Sequence, residues 1–287
     1  MLNTKTKTLS ILSALAVTAM ATTATSAATL AELQESGTIR IAVANEIPYG
    51  YIDPTDGEAK GAGPDVAKHI VEELGIENIE WVTTEFSGLI PGLQADRFDM
   101  VAAEMAIIPE RCATVIYSEP NSSYGEGLLV PAGNPGGINS YEQFAENSDL
   151  TVAIMAGANQ LDMMQALGVS EEQLVTISSN ADAISTVSTG RADAYAATGL
   201  TASELAGQSD AVEVASGFSD PMIDGAEQRS WGGFVFAQGS EELRDAVNEV
   251  LATYKETDEW VESLSSYGFT DADTGRSFDM STEELCS

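Results

Sequence analysis

GLIPGLQADRFDMVAAEMAIIPERCATVIYSEP, residues 88–120, decides how this chain is built. An apolar stretch with helical spacing (88–95) passes through a short polar turn into a buried strand (98–102), and the loop beyond delivers one arginine, Arg111. An α/β lobe presents a cation at the mouth of a cleft in this way, beyond the carboxyl end of a strand, and the segment therefore predicts an anionic group in the cleft.

The same alternation extends on both sides. Residues 38–44 (TIRIAVA) have the β-branched content of a core strand, and Pro48 ends them in an extended turn that carries Glu46 and Tyr49. Residues 64–74 predict a helix with Val66, Ile70 and Leu74 on one face and Gly75 beyond its end. The strand 79–82 (IEWV) follows, then a turn carrying Phe86. This β-α-β-α-β order predicts a mostly parallel, doubly wound sheet.

The rhythm then restarts: strand 151–155, helix from GANQLDMMQAL (157–167), strand 174–177, helix 180–189, strand 192–197. Two apolar segments, 127–130 and 233–237, bracket this unit and read as paired crossover strands, so the second lobe is inserted into the first. The predicted division is 29–128 with 234–287 for lobe 1 and 129–233 for lobe 2. Leu243, Ala246, Val247, Val250, Leu251 and Tyr254 predict a following helix capped by Ser240, and Trp260, Val261 and Leu264 another closed by Gly268.

Residues 1–28 read as a cleavable export signal: Lys5 and Lys7, an apolar run at 9–21, then small residues ending in Ala27 and Ala28. Export places the mature chain in the periplasm. The formal charge of −33 becomes more negative once the two leader lysines are removed. At molar salt the Debye length falls to about 3 Å and such self-repulsion is screened, so the acidity reads as adaptation to a saline medium. With 12 basic residues against 45 acidic ones and no basic stripe, nucleic acid is excluded as a partner. The two cysteines, Cys112 and Cys286, allow one bridge, which would staple the tail beside the arginine; the other reading is two free thiols.

LIPGLQADRFD (89–99), the PER of 109–111, YSEP (117–120), GRADA (190–194) and the bracketing segments together resemble the solute-binding proteins of ABC importers, in the polar amino acid subclass. The resemblance covers nearly the whole chain after the leader. ANEIPY (44–49), PERC (109–112) and a tail ending close to a cysteine are similar to the ectoine- and hydroxyectoine-binding members. It implies a type II-like periplasmic binding protein fold, two doubly wound lobes joined by two hinge strands. It further implies a monomer that closes on a small zwitterion and delivers it to membrane permease subunits, with no cofactor and no metal.

Carried onto this sequence, Arg111 is the carboxylate anchor, since a guanidinium fork matches a carboxylate. Tyr49 and Phe86 offer ring faces to a flat cation, and Glu46 a counter-charge. Gly157, Ala158 and Asn159 begin a helix whose free N–H groups seat an anion. Thr198 completes the second lobe's contribution. Two departures stand out. Thr198 replaces the aspartate that amino acid binders of the family use for the α-ammonium, which argues against an ordinary α-amino acid. Ala106 falls where the ectoine-type cage has its third ring, so Trp231 or Tyr195 compensates, or the pocket suits a different zwitterion.

No catalytic set accompanies these residues. The lone histidine, His69, lies on a predicted helix beside Glu72 and Glu73 and reads as a solvated position. Some relatives of the fold dehydrate cyclohexadienyl acids, for which Glu46 would be the proton donor. Without a matched acid–base pair, the expectation is a binding protein and not an enzyme.

Overall fold

The computed structural model describes residues 28–287, so nearly all of the expected export signal lies outside the described residues. Two separate sheets organise the chain. The first has the order Asn78–Thr83, Thr38–Val43, Met100–Ala106, Ser230–Ala237, Val115–Tyr117, with Ser122–Tyr124 paired to Ser230–Ala237. Its first three strands are parallel and Ser230–Ala237 runs antiparallel to its neighbours. The second sheet has the order Leu174–Ile177, Val152–Met155, Ala194–Thr198, Glu126–Pro131, Val212–Val214, again with three parallel strands followed by antiparallel ones.

Met100–Ala106 is buried along its whole length, because helices cover both faces of its sheet. The two-residue period of the strands sorts side chains between those faces. Ile39, Ile41, Met100, Ala102, Phe234 and Phe236 pack with the helices Ala62–Glu73, Glu241–Tyr254 and Asp258–Ser265. Ala42, Val101, Ala103 and Val235 lie on the opposite side with Leu89 and Leu93 of Leu89–Gln94. Trp260 and Leu264 are fully buried, so the C-terminal helices pack back onto the first lobe as expected.

Several expectations need correction. Residues 127–130 and 233–237 do not pair with each other. Glu126–Pro131 belongs to the second sheet and Ser230–Ala237 to the first, since each apolar run completes its own lobe's sheet. The chain changes sheet between Tyr124 and Glu126 and returns by Ser230, a few residues before each expected boundary. The segment bearing Arg111 is not a plain loop but a short helix, Pro109–Cys112, started by a proline whose missing N–H costs nothing at that position. Ser240 makes no side-chain cap to its helix. The helix Gly199–Gln208 escaped the sequence reading. Its apolar periodicity is weak, and it is set instead by Thr198, whose Oγ1 accepts the Thr201 N–H.

Cys112 and Cys286 are bridged, with Cα atoms 5.7 Å apart, and no free cysteine remains among the described residues. The bridge spans a sequence separation of 174 and fixes the tail against the arginine's helix. Reduction is therefore expected to lower stability by about 2–5 kcal/mol, read as a fall in denaturant midpoint with a thiol reductant. An unchanged midpoint would show that the bridge constrains little. No described helix is long and apolar enough to cross a membrane.

Candidate functional site

The carboxyl ends of both sets of parallel strands meet at a cavity between the lobes. From the first lobe it is lined by Glu46, Tyr49, Phe86, Ala103, Glu104, Ala106 and Tyr124, and from the second by Met155, Ala158, Asn159, Gln160, Tyr195, Ala197 and Thr198. Its volume is about 30 Å³, far below the roughly 300 Å³ or more of an open small-molecule pocket. A solute enters only if the lobes part further, which the two crossings between the sheets permit.

Six of the eight sequence-predicted residues line this cavity. Glu46 leaves the end of Thr38–Val43 in a turn closed by the Glu46 and Gly50 backbones. Tyr49 follows in that turn; its hydroxyl donates to Thr198 Oγ1 at 2.7 Å, joining the lobes, and its ring leans on Tyr124 at 5.1 Å. Phe86 opens the short turn Phe86–Gly88 and is 9 % exposed. Ala158 and Asn159 come from the approach to Gln160–Ala166.

Arg111 and Gly157 stand beside the cavity and do not line it. The guanidinium is buried over the Phe86 ring, 5.5 Å from its centre. Nη1 donates to the Ala106 carbonyl at 2.8 Å and Nη2 to the Gly157 carbonyl at 2.9 Å, so the side chain bridges both lobes. It forms no ion pair with any described acid, its two described hydrogen bonds both go to backbone carbonyls, and the Tyr117 hydroxyl lies beside it. Gly157 has φ +82°, and a Cβ there would lie 3.1 Å from Ser87 Cα, so any side chain would be strained and would crowd this approach of the second lobe to the first.

The helix start at 157–159 differs from a simple anion seat. Gln160–Ala166 is seven residues long, and the Asn159 side chain does not cap it. Asn159 Nδ2 instead donates to Ser230 Oγ at 3.2 Å, tying the helix to the returning strand.

The sequence reading missed Glu104, Tyr124 and Gln160. Glu104 sits mid-strand with φ +46°, a conformation uncommon for residues other than glycine. Its carboxylate accepts from Asn121 Nδ2 at 2.6 Å and from Ser122 Oγ, and its carbonyl accepts the Tyr124 hydroxyl at 2.6 Å. Of the rings proposed to replace the one absent at Ala106, Tyr195 lines the cavity. Trp231 does not: its indole N–H donates to the Arg276 carbonyl outside. Tyr124 supplies a further ring.

Buried carboxylates outnumber the buried guanidinium. Burial raises the pKa of Glu46, against hydrogen bonds from Asn180 and Thr201 and the Arg111 charge. Burial likewise raises Glu104, against hydrogen bonds from Ser122 and Asn121. Behind the cavity, burial pushes Glu126 up to about 7, against a hydrogen bond from Gln160 and helped by nearby Asp220. Burial also lifts Tyr49, Tyr124 and Tyr195 well above the usual phenol range, so they act as neutral donors. A site with this balance favours a ligand that brings positive charge. His69 lies away from it, stacked on Tyr254 with ring centres 3.7 Å apart. Among the described residues, no group of three or more His, Cys, Asp or Glu side chains is placed to hold a metal ion.

Known proteins share this chain's sequence pattern and fold. The family of bacterial extracellular solute-binding proteins, family 3, matches residues 39–270. A probable amino-acid ABC transporter periplasmic-binding protein of Sinorhizobium fredii is 57% identical over 258 residues, 89% of this chain and 85% of the relative. The crystal structure of EhuB in complex with hydroxyectoine superposes with a TM-score of 0.81 at 33% identity, covering 90% of this chain and 97% of that one. An ancestral amino acid-binding protein, a precursor of cyclohexadienyl dehydratase, superposes with a TM-score of 0.71 at 29% identity, covering 83% and 98%.

Proposed function

Because the chain belongs to the bacterial extracellular solute-binding proteins, family 3, and is thereby a solute-binding protein of an ABC transporter for amino acids or related ligands, we propose that it takes a small zwitterion with a delocalised cation, ectoine or hydroxyectoine first among them. Its relatives are periplasmic binding proteins, not enzymes, and its partners are a small molecule and the membrane permease subunits. In the proposed scheme the monomer meets its ligand in the periplasm. The observation that carries the reading is the cavity wall itself: Tyr49, Phe86, Tyr124 and Tyr195 with the carboxyl-bearing Glu46 and Glu104. Ring faces and anionic oxygens around one small space stabilise a flat cation, each good ring contact contributing about 0.5–2 kcal/mol.

In this scheme, Tyr49, Phe86 and Glu46 of the first lobe receive the cation, and the Arg111 guanidinium, once the lobes part, takes the carboxylate. Ala158, Asn159 and Thr198 then close over the solute, with Gly157 as the contact between lobes. The strongly acidic surface fits a saline medium, in which compatible solutes are the useful cargo.

One observation favours a second reading. Glu104 supplies a counter-charge in the cavity even though Thr198 replaces the family's aspartate. The sequence argument against an α-amino acid is weaker for that reason, and a polar amino acid is the alternative ligand. A thermal-shift panel of ectoine, hydroxyectoine, glycine betaine, proline, arginine and glutamate separates the two. A ligand at 100 times its dissociation constant adds about 2.7 kcal/mol of stability. Stabilisation by ectoine or hydroxyectoine is the expected outcome; a shift with arginine or glutamate and none with the ectoines would replace the first reading by the second.

A further inference from the structure

Glu46 belongs to the first lobe, yet its side-chain partners come from the second. Oε1 accepts from Asn180 Nδ2 at 3.0 Å and from Thr201 Oγ1 at 3.2 Å. Asn180 begins the short turn Asn180–Asp182 after Leu174–Ile177, where its side chain is 9 % exposed. Its Oδ1 accepts the hydroxyl of Tyr195 from Ala194–Thr198. An ionised carboxylate only accepts, so Nδ2 faces Glu46 and Oδ1, on the other side of the amide, is left to accept from the phenol. Tyr195 is 1 % exposed and its ring lines the cavity. A buried series therefore runs from tyrosine through amide to carboxylate, with two members on one lobe and the third on the other.

We propose that Asn180 and Tyr195 are positioning residues that lock the Glu46 carboxylate into the cation-accepting wall when the lobes meet, so that the solute is selected by a group completed only on closure. The inference rests on reading the cavity as a site for a cationic group. Tyr195 thereby has two tasks, a ring face in the cavity and a hydroxyl that aligns the amide.

The consequence is a pH signature. The groups facing Glu46 are the Arg111 guanidinium, the phenols of Tyr49, Tyr124 and Tyr195, and the neutral donors Asn180 and Thr201. Burial raises the Glu46 pKa, whereas the Asn180 and Thr201 hydrogen bonds and Arg111 oppose that rise. Removing a donor moves the pKa further up, the ionised fraction at neutral pH falls, and affinity for a cation is regained as pH increases.

The test is calorimetric titration of ectoine and hydroxyectoine into the wild type, Asn180→Ala and Tyr195→Phe between pH 6 and 9, with circular dichroism confirming that each variant folds. Tyr195→Phe keeps the ring, so its effect isolates the hydroxyl. At pH 7 both variants are expected to bind about tenfold more weakly and to recover toward wild-type affinity as pH rises. Profiles parallel to the wild type in both variants would overturn the positioning role and leave the ligand reading intact. A wild type that binds neither solute would overturn the ligand reading and this inference with it.

Discussion

Arg111→Ala is expected to weaken binding of any carboxylate solute by about 100-fold or more, equivalent to about 2.7 kcal/mol at 25 °C. Two of its N–H groups hold the Ala106 and Gly157 carbonyls from opposite lobes, and the guanidinium carries its charge beside the cavity with no acid paired to it among the described residues. Truncation removes the bridge and the buried positive charge set against Glu46, and it leaves the Gly157 carbonyl without this donor. Arg111→Lys is expected to restore little, because an ammonium cannot present the planar fork that spans two carbonyls and a carboxylate. Titration calorimetry reads both variants; wild-type affinity in Arg111→Ala would show that the carboxylate is held elsewhere.

Trp260→Ala carries the largest expected effect on stability, a loss of about 3–5 kcal/mol in urea unfolding. The indole is wholly buried, lies edge-on to Phe278 at 5.8 Å and beneath the Lys255 ammonium, and donates to Asn121 Oδ1 at 3.0 Å. Asn121 in turn donates to Glu104 at the cavity, so the cut reaches from the C-terminal helices to the site. A loss below about 1 kcal/mol would mean that the cavity left behind collapses and that the helix docks without its main anchor.

Much of this architecture was legible because it is local. Buried runs such as 100–106 and the apolar stripe of Ala62–Glu73 carry their own periodicity, so both β-α-β-α-β units could be read directly. Glu46, Tyr49 and Phe86 lie in turns beyond strand ends, where α/β lobes place ligand contacts, and the family resemblance assigned them to the cleft. Other features depend on distance. Nothing near Glu46 announces Asn180, 134 residues away, and the sequence left Trp231 and Tyr195 as equal candidates for the ring missing at Ala106, of which only Tyr195 lines the cavity.

Glu104 was hidden for a different reason. In sequence it is one acid among 45 acidic residues, and only its left-handed backbone inside a strand sets it apart. The crossover pairing failed because an apolar run states that a strand is buried and not which sheet buries it. Arg111 combined both cases: its neighbours located it in the sequence, whereas its place beside the cavity, bridging two carbonyls, emerged only from the fold.

On the proposed reading, one cavity, acidic and ring-lined, accepts a small zwitterion with a delocalised cation and returns it unchanged. Equilibrium titration of hydroxyectoine into the purified protein, followed by mass spectrometry of the released solute, tests it most directly. Saturable one-to-one binding with the solute recovered intact is the predicted result. An absence of binding at millimolar hydroxyectoine and ectoine, with arginine or glutamate bound in their place, would contradict it.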